Sequence, residues 1–174
     1  GPDTPERATA VDSLANLGGR GVELLGVALQ EAGWRGREGI LDALTRIGPV
    51  SLPVLMHTAR AHLRVDARRL AVRAMGRIGG GAARDSLLEL IDTPDRDMVL
   101  KALGEVGDPA VGPVVARFLK DEQMDVRRRA VVALGQTVGV AAADRMVDAL
   151  SDGHHSVRFA AAGALEALGP PAAE

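Results

Sequence analysis

One short pattern recurs six times along this chain and leaves few folds open to it. Six glycines, Gly18, Gly48, Gly79, Gly107, Gly139 and Gly169, lie 30, 31, 28, 32 and 30 residues apart. Just upstream of each stands a small-apolar pair: Ser13-Leu14, Ala43-Leu44, Ala74-Met75, Ala102-Leu103, Ala133-Leu134 or Ala164-Leu165. Six residues before the first member of each pair stands an arginine, at Arg7, Arg37, Arg68, Arg96, Arg127 and Arg158. Three residues before it stands a small or branched apolar residue, at Ala10, Ile40, Ala71, Val99, Ala130 and Ala161. A fixed period near thirty residues is the signature of a repeat architecture, in which each unit buries its apolar face only against its neighbours.

The local chemistry of one unit is helical. From Asp125 to Val138, the residues Val126, Ala130, Ala133, Leu134 and Thr137 fall three or four apart and form one apolar stripe. Asp125, Asp66 and Ser156, and Thr4 and Thr93 each followed by Pro, are candidate N-caps. The following glycine supplies a left-handed residue to end the helix. We call this element helix B. Between one terminal glycine and the next helix B lies a second periodic segment, helix A, expected near 20–31, 50–61, 82–91, 109–119 and 140–150. No segment sustains strand alternation. The expected fold is all-α: an α-solenoid, a right-handed αα superhelix of about six repeats and roughly eleven helices. Its limits are residues 4–169, with an N-terminal tail at 1–3 and a C-terminal tail at 170–174. Gly1-Pro2 reads as a tag remnant and Pro170-Pro171 as the stop of the last helix, in a piece of a longer protein. Val11, Leu14 and Leu17 of the first helix B would be partly uncovered.

The segments Asp125-Val126-Arg127 through Ala133-Leu134-Gly135, and Gly107-Asp108-Pro109-Ala110-Val111-Gly112-Pro113, resemble HEAT-like repeats of the short phycobilisome-lyase type. The resemblance is strong from residue 64 onward and weaker before it. It implies a stacked-helix fold shared by chromophore lyases, a di-iron hydroxylase, DNA glycosylases and many adaptors, so function rests on residues.

The residues exclude most chemistry. There is no Cys, which removes disulfides, thiolate metal sites and Cys nucleophiles together. No His-Glu dipeptide exists, so the di-iron set is missing, and His57, His62, His154 and His155 form no paired i, i+4 ligand set. His154-His155 is expected as two solvated turn residues whose rings point apart. The serines lack a nucleophile elbow, and Gly79-Gly80-Gly81 lacks the Lys-Ser/Thr of a phosphate loop and reads as a flexible turn. The expectation is no enzyme, no metal and no cofactor. No apolar run approaches the ~18 residues of a membrane helix, and no charged-then-apolar leader is present, so a cytoplasmic protein is expected.

Two sets of basic residues remain. The registered arginines, Arg7, Arg37, Arg68, Arg96, Arg127 and Arg158, are expected to form an inter-repeat ladder. Each guanidinium would bond acids or free carbonyls in the A–B turns, such as those of Asp92, Asp121 or Asp152. Off-register charges are the candidates for partner binding: Arg64, Arg69, Arg73, Arg77, Lys101, Arg128 and Arg129, with the single Trp34 as an exposed anchor or a seam residue. Arg69, Arg73 and Arg77 are four apart and line one helix face. The A helices carry Glu23, Glu31, Asp85, Glu89, Asp144 and Asp148. A net charge of −2 argues against a generic nucleic-acid binder. The expected function is therefore a non-catalytic scaffold, binding another protein or another domain of its parent through a basic concave face lined by B helices. Nucleic acid on the same stripe, and lyase- or chaperone-like handling of a cofactor-bearing protein, are the alternatives. No small-molecule substrate is expected.

Overall fold

A computed structural model describes Ser13 and residues 18–169 of the chain. Ten α-helices are present among the described residues, and no strand. The A helices are α1 (Gly19–Glu31), α3 (Leu52–Ala61), α5 (Gly80–Leu88), α7 (Gly112–Ala116) and α9 (Ala143–Ala149). The B helices are α2 (Trp34–Ile47), α4 (Val65–Ile78), α6 (Arg96–Val106), α8 (Met124–Thr137) and α10 (His155–Leu168). The expected first helix B, with Arg7, Val11, Leu14 and Leu17, lies outside the described residues, as does the Pro170-Pro171 stop. So does the side chain of Trp34.

The helices group into two compact units, residues 1–78 and 79–174. In the first, α2 packs on α4, α3 on α4 and α1 on α2. Leu29, Leu44, Leu55 and Met75 are fully buried there. In the second, α8 packs between α6 and α10, α7 lies on α8, and α9 on α10. Leu87, Leu100, Leu103, Leu134 and Met146 are its core. The small registered residues Ala71, Ala102, Ala130, Ala133 and Ala161 are all buried. Short side chains at these points let neighbouring helices come close. The glycine that follows goes further. A Cβ on Gly104 would stand 3.2 Å from the Ala133 backbone and collide with the Gln136 side chain.

All six registered glycines have positive φ, between 54° and 87°. The last five follow the described B helices closely, and at each of the six a side chain would be strained.

Several elements depart from the expected boundaries. The segment 109–119 is not one helix. A 3-10 turn (Pro109–Val111) leads into the five-residue α7, and a second 3-10 turn (Arg117–Lys120) follows. Pro113 explains the break: it lacks an N–H and is tolerated only in a first turn, which fixes the start of α7 beside it. The segment 140–150 likewise opens as a 3-10 turn (Gly139–Ala142) before α9. The triple glycine is not a flexible turn, because Gly80 and Gly81 already belong to α5.

The capping residues also lie further upstream than expected. Asp66, Asp125 and Ser156 sit inside the first turns of α4, α8 and α10. There the two carboxylates still favour the positive helix end. Thr93 does not cap α6; its hydroxyl donates to the Leu90 carbonyl at 2.7 Å. In three A–B turns a residue accepts the N–H two positions on. Asp121 takes the Gln123 N–H at 2.8 Å, and Asp152 takes the His154 N–H at 2.8 Å. His62 does the same through Nδ1 with the Arg64 N–H, at 3.1 Å.

Candidate functional site

Among the described residues the registered arginines lie near the start of a B helix, and those of the second unit follow one rule of contact. In the second unit, Arg96 donates from Nε and Nη2 to the two carboxylate oxygens of Asp121, at 3.0 and 3.1 Å. Arg127 repeats the geometry on Asp152, at 2.8 and 3.1 Å. Each pair joins one repeat to the next across twenty-five residues. Arg127 also turns back, donating from Nη1 to the carbonyls of Asp121 and Glu122. Arg158 does so to the carbonyls of Asp152 and Gly153. Asp121 thus holds its own turn through Gln123, receives an arginine from the preceding repeat, and lends its carbonyl to the next. The Arg96 bond, working against partial burial, holds the Asp121 carboxyl below its ordinary range. The Arg127 bond does the same for Asp152.

In the first unit the rule is incomplete. Arg68 donates to the carbonyl of His62 at 3.2 Å, as Arg127 does to that of Asp121. Arg37 is only 3% exposed, and its one ion pair among the described residues is with Asp66, through Nη2 at 3.6 Å. Its Nε has no hydrogen-bond partner. A further inter-element pair went unread in the sequence: Arg84 of α5 bonds Asp108, whose Oδ1 also accepts the Ala110 N–H. The Gly107-Asp108-Pro109 run marks that turn, but nothing in it names an arginine from another helix.

The candidate binding residues are exposed or half-buried, and most are already ion-paired. Arg64, on the turn before α4, is 63% exposed and contacts Asp66 at 3.2 Å. Arg73 lies 3.8 Å from Glu38 and Arg77 3.5 Å from Asp42, all four largely open to solvent. The stripe of α4 is therefore interleaved with two acids of α2, a correction to a uniformly basic face. In the second unit, Lys101 pairs with Glu105 at 3.4 Å and Arg128 with Asp125 at 3.1 Å, each within its own helix. Arg129 is half-buried with an unpartnered Nε.

Charge divides along the chain more than between helix types. Residues 18–78 hold ten arginines against five acids, a formal +5. Residues 79–169 hold ten Lys and Arg against fourteen acids, a formal −4. Among the B helices, α4 carries four Arg against one Asp and α8 three against one. On the A side, Glu23, Glu31, Asp85, Glu89, Asp144 and Asp148 are all exposed.

Among the described residues no three His, Asp or Glu side chains gather as a metal site. The rings of His154 and His155 do not point apart. They stack with centroids 4.7 Å apart, because His154 Nδ1 is held by the Ser156 hydroxyl at 2.8 Å. No helix of the described residues is long and apolar enough to cross a membrane.

A sequence profile of HEAT repeats matches residues 52–135 and 113–173. The chain belongs to the HEAT-repeat family. Solved structures agree on the architecture of this HEAT-repeat chain. One is the complex of CpcE and CpcF of phycocyanin lyase from Nostoc sp. PCC7120, with TM-score 0.55 and 20% identity, covering 97% of this chain and 74% of that one. Another is a designed armadillo repeat protein in complex with the peptide (KR)4, with TM-score 0.53 and 16% identity, covering 96% of both chains. A third is an engineered protein with TM-score 0.52 and 16% identity, covering 95% of this chain and 55% of that one. At these identities the likeness is one of fold: an all-helical α-solenoid. No curated protein sequence matches it.

Proposed function

We propose that this HEAT-repeat chain is a non-catalytic scaffold that binds an acidic segment or surface of another protein, or of another part of its parent. The contact runs through the B-helix face, the concave one in solenoids of this type. The observation that carries the reading is the weakly satisfied basic edge of α4. Arg64, Arg69, Arg73 and Arg77 are exposed or half-buried in a unit of formal charge +3. The ion pairs of Arg64, Arg73 and Arg77 are solvent-open, and those of Arg73 and Arg77 run 3.5–3.8 Å. Exposed pairs of this kind contribute only ~0–1 kcal/mol each. An incoming carboxylate exchanges with Glu38 or Asp42 at little cost, and a rigid helix face loses little freedom on binding. Lys101, Arg128 and Arg129 are the corresponding basic residues on the B helices of the second unit. The registered ladder is structural in this reading, since its carboxylates are already engaged.

The test uses fluorescence anisotropy with a labelled oligo-glutamate peptide, an oligo-lysine control and a single-stranded DNA oligomer. We expect the acidic peptide to bind at low salt. Arg69→Glu/Arg77→Glu should weaken it at least tenfold and Lys101→Glu/Arg128→Glu less, with circular dichroism unchanged. Equal binding by wild type and both variants rejects the site. DNA bound more tightly than the peptide, with a steep salt slope, assigns the stripe to nucleic acid instead.

A further inference from the structure

The rung at Arg37 differs in chemistry from those at Arg96 and Arg127. Counting twenty-five residues on from the arginine gives Asp121 for Arg96 and Asp152 for Arg127. The same count from Arg37 gives His62. The register holds by a second measure: each of these residues accepts the N–H two positions on, and its carbonyl accepts the arginine six positions on. His62 therefore occupies the carboxylate's place in the turn between α3 and α4.

An imidazole fills that place only in one protonation state. The Arg64 N–H donates to Nδ1, so Nδ1 carries no proton and the neutral ring bears its hydrogen on Nε2. Nε2 is buried beside the Leu29 carbonyl, and the Nε of Arg37 is buried without a partner. Where the rungs at Arg96 and Arg127 oppose a carboxylate to the arginine, this one holds an imidazole. We propose that His62 makes the α3–α4 turn acid-labile, fastening it while the ring is neutral and releasing it when Nδ1 takes a proton.

Protonation turns Nδ1 from acceptor to donor and expels the Arg64 N–H. It also places a cation in a site where His62 is 8% exposed. Arg37 of α2 and Arg64 of the turn repel the charge. Asp66 at the start of α4 and the Leu29 carbonyl of α1 attract it. Arg68 is occupied with the His62 carbonyl. Burial is the largest influence and Arg37 the next, and the balance holds the ring below the ordinary histidine value of 6.5. The unfolded chain then takes the proton first. Stability falls as pH drops through about 6.5 and continues to fall until the folded ring also titrates. Asp121 and Asp152 show no such behaviour near neutrality, since their carboxylates stay ionised there.

The experiment compares thermal melts of the full chain at pH 7.5 and 5.5 for wild type, His62→Asn and His62→Asp. Asn keeps a neutral acceptor for the Arg64 N–H and does not titrate. Asp restores the rung. His57, His154 and His155 are common to all three and cancel. Wild type should lose roughly 3–6 °C more than either variant over this interval. His62→Asp should melt highest at both pH values, because Arg37 regains a carboxylate. Amide exchange, corrected for intrinsic rate, should show Arg64 losing protection at pH 5.5 while Gln123 keeps it. Equal pH losses in wild type and variants overturn the proposal. So does an Arg64 amide whose protection is the same at both pH values, a measurement on wild type alone that stands even where a variant fails to fold.

Discussion

Asp121 joins three successive repeats, and removing it gives a worked test of what the registered arginines do. Its carboxylate takes two bonds from Arg96 and one from the Gln123 N–H, and its carbonyl takes one from Arg127. Fully exposed pairs couple by about 0.2–1 kcal/mol. Breaking a fully buried pair costs about 3–5 kcal/mol. Arg96 and Asp121 are 24% and 12% exposed, so solvent screens the pair only in part. The two charge-assisted bonds then place their coupling at about 1–2 kcal/mol. Asp121→Ala alone should cost more, about 2–3 kcal/mol, since the Gln123 N–H also loses its acceptor. The corresponding fall in melting temperature is roughly 5–10 °C. Urea unfolding of wild type, Asp121→Ala, Arg96→Ala and the double variant at pH 7 closes the cycle. A coupling below about 0.3 kcal/mol refutes the reasoning, because the pair would then behave as an ordinary surface contact.

Other perturbations follow from the same geometry. The Asp121 carboxyl is held low by Arg96, so the pair's contribution is complete above the ordinary value of 3.8 and disappears as pH falls through the lowered one; the cycle repeated at successively lower pH should give a coupling that shrinks. Gly104→Val should destabilise by about 1–3 kcal/mol through overpacking against Ala133 and Gln136. Gly163→Ala, in α10 with nothing within 4 Å of the added Cβ, should instead stabilise by up to about 1 kcal/mol through helix propensity. Chemical denaturation of the two glycine variants side by side reads both signs. Raising salt from 50 to 500 mM should weaken oligo-glutamate binding while leaving the Arg96–Asp121 coupling largely intact, because the ladder pair is better shielded from solvent.

The features legible in the sequence were those each repeat must reproduce. A stack of similar units meets its neighbour through the same few positions, so the arginine, the small residues and the positive-φ glycine recur at fixed places and can be counted. Asp121 and Asp152 could be named as ladder acceptors for that reason. Asp92 could be named too, but no hydrogen bond or ion pair of its own accompanies it, and Arg68 is seen instead on the His62 carbonyl. Boundaries were less legible where a local event competed with the period: Pro113 delays α7, and Gly80 and Gly81 are absorbed into α5. Pairings between helices were hidden because they depend on how one helix is rotated against the next. Glu38 and Arg73, and Asp42 and Arg77, are each separated by thirty-five residues, close to one repeat plus a helical turn. That offset becomes readable only once α2 and α4 are known to lie side by side.

The same logic separates structure from function in this chain. A contact that recurs in register is required by stacking, whatever the protein binds, and is a poor guide to its partner. A residue that breaks register has no such requirement to explain it. Arg64, Arg69, Arg73 and Arg77 are in this class, gathered in the unit where positive charge exceeds negative. His62 is in it more sharply, because the position it fills is one where the turns before α8 and α10 use a carboxylate and where the arginine opposite is buried with a donor unanswered. A sequence selected for stability alone would carry Asp at this position. Retaining an imidazole trades a strong rung for one whose strength depends on pH, and the melting behaviour of His62→Asp measures how much stability that exchange gives up.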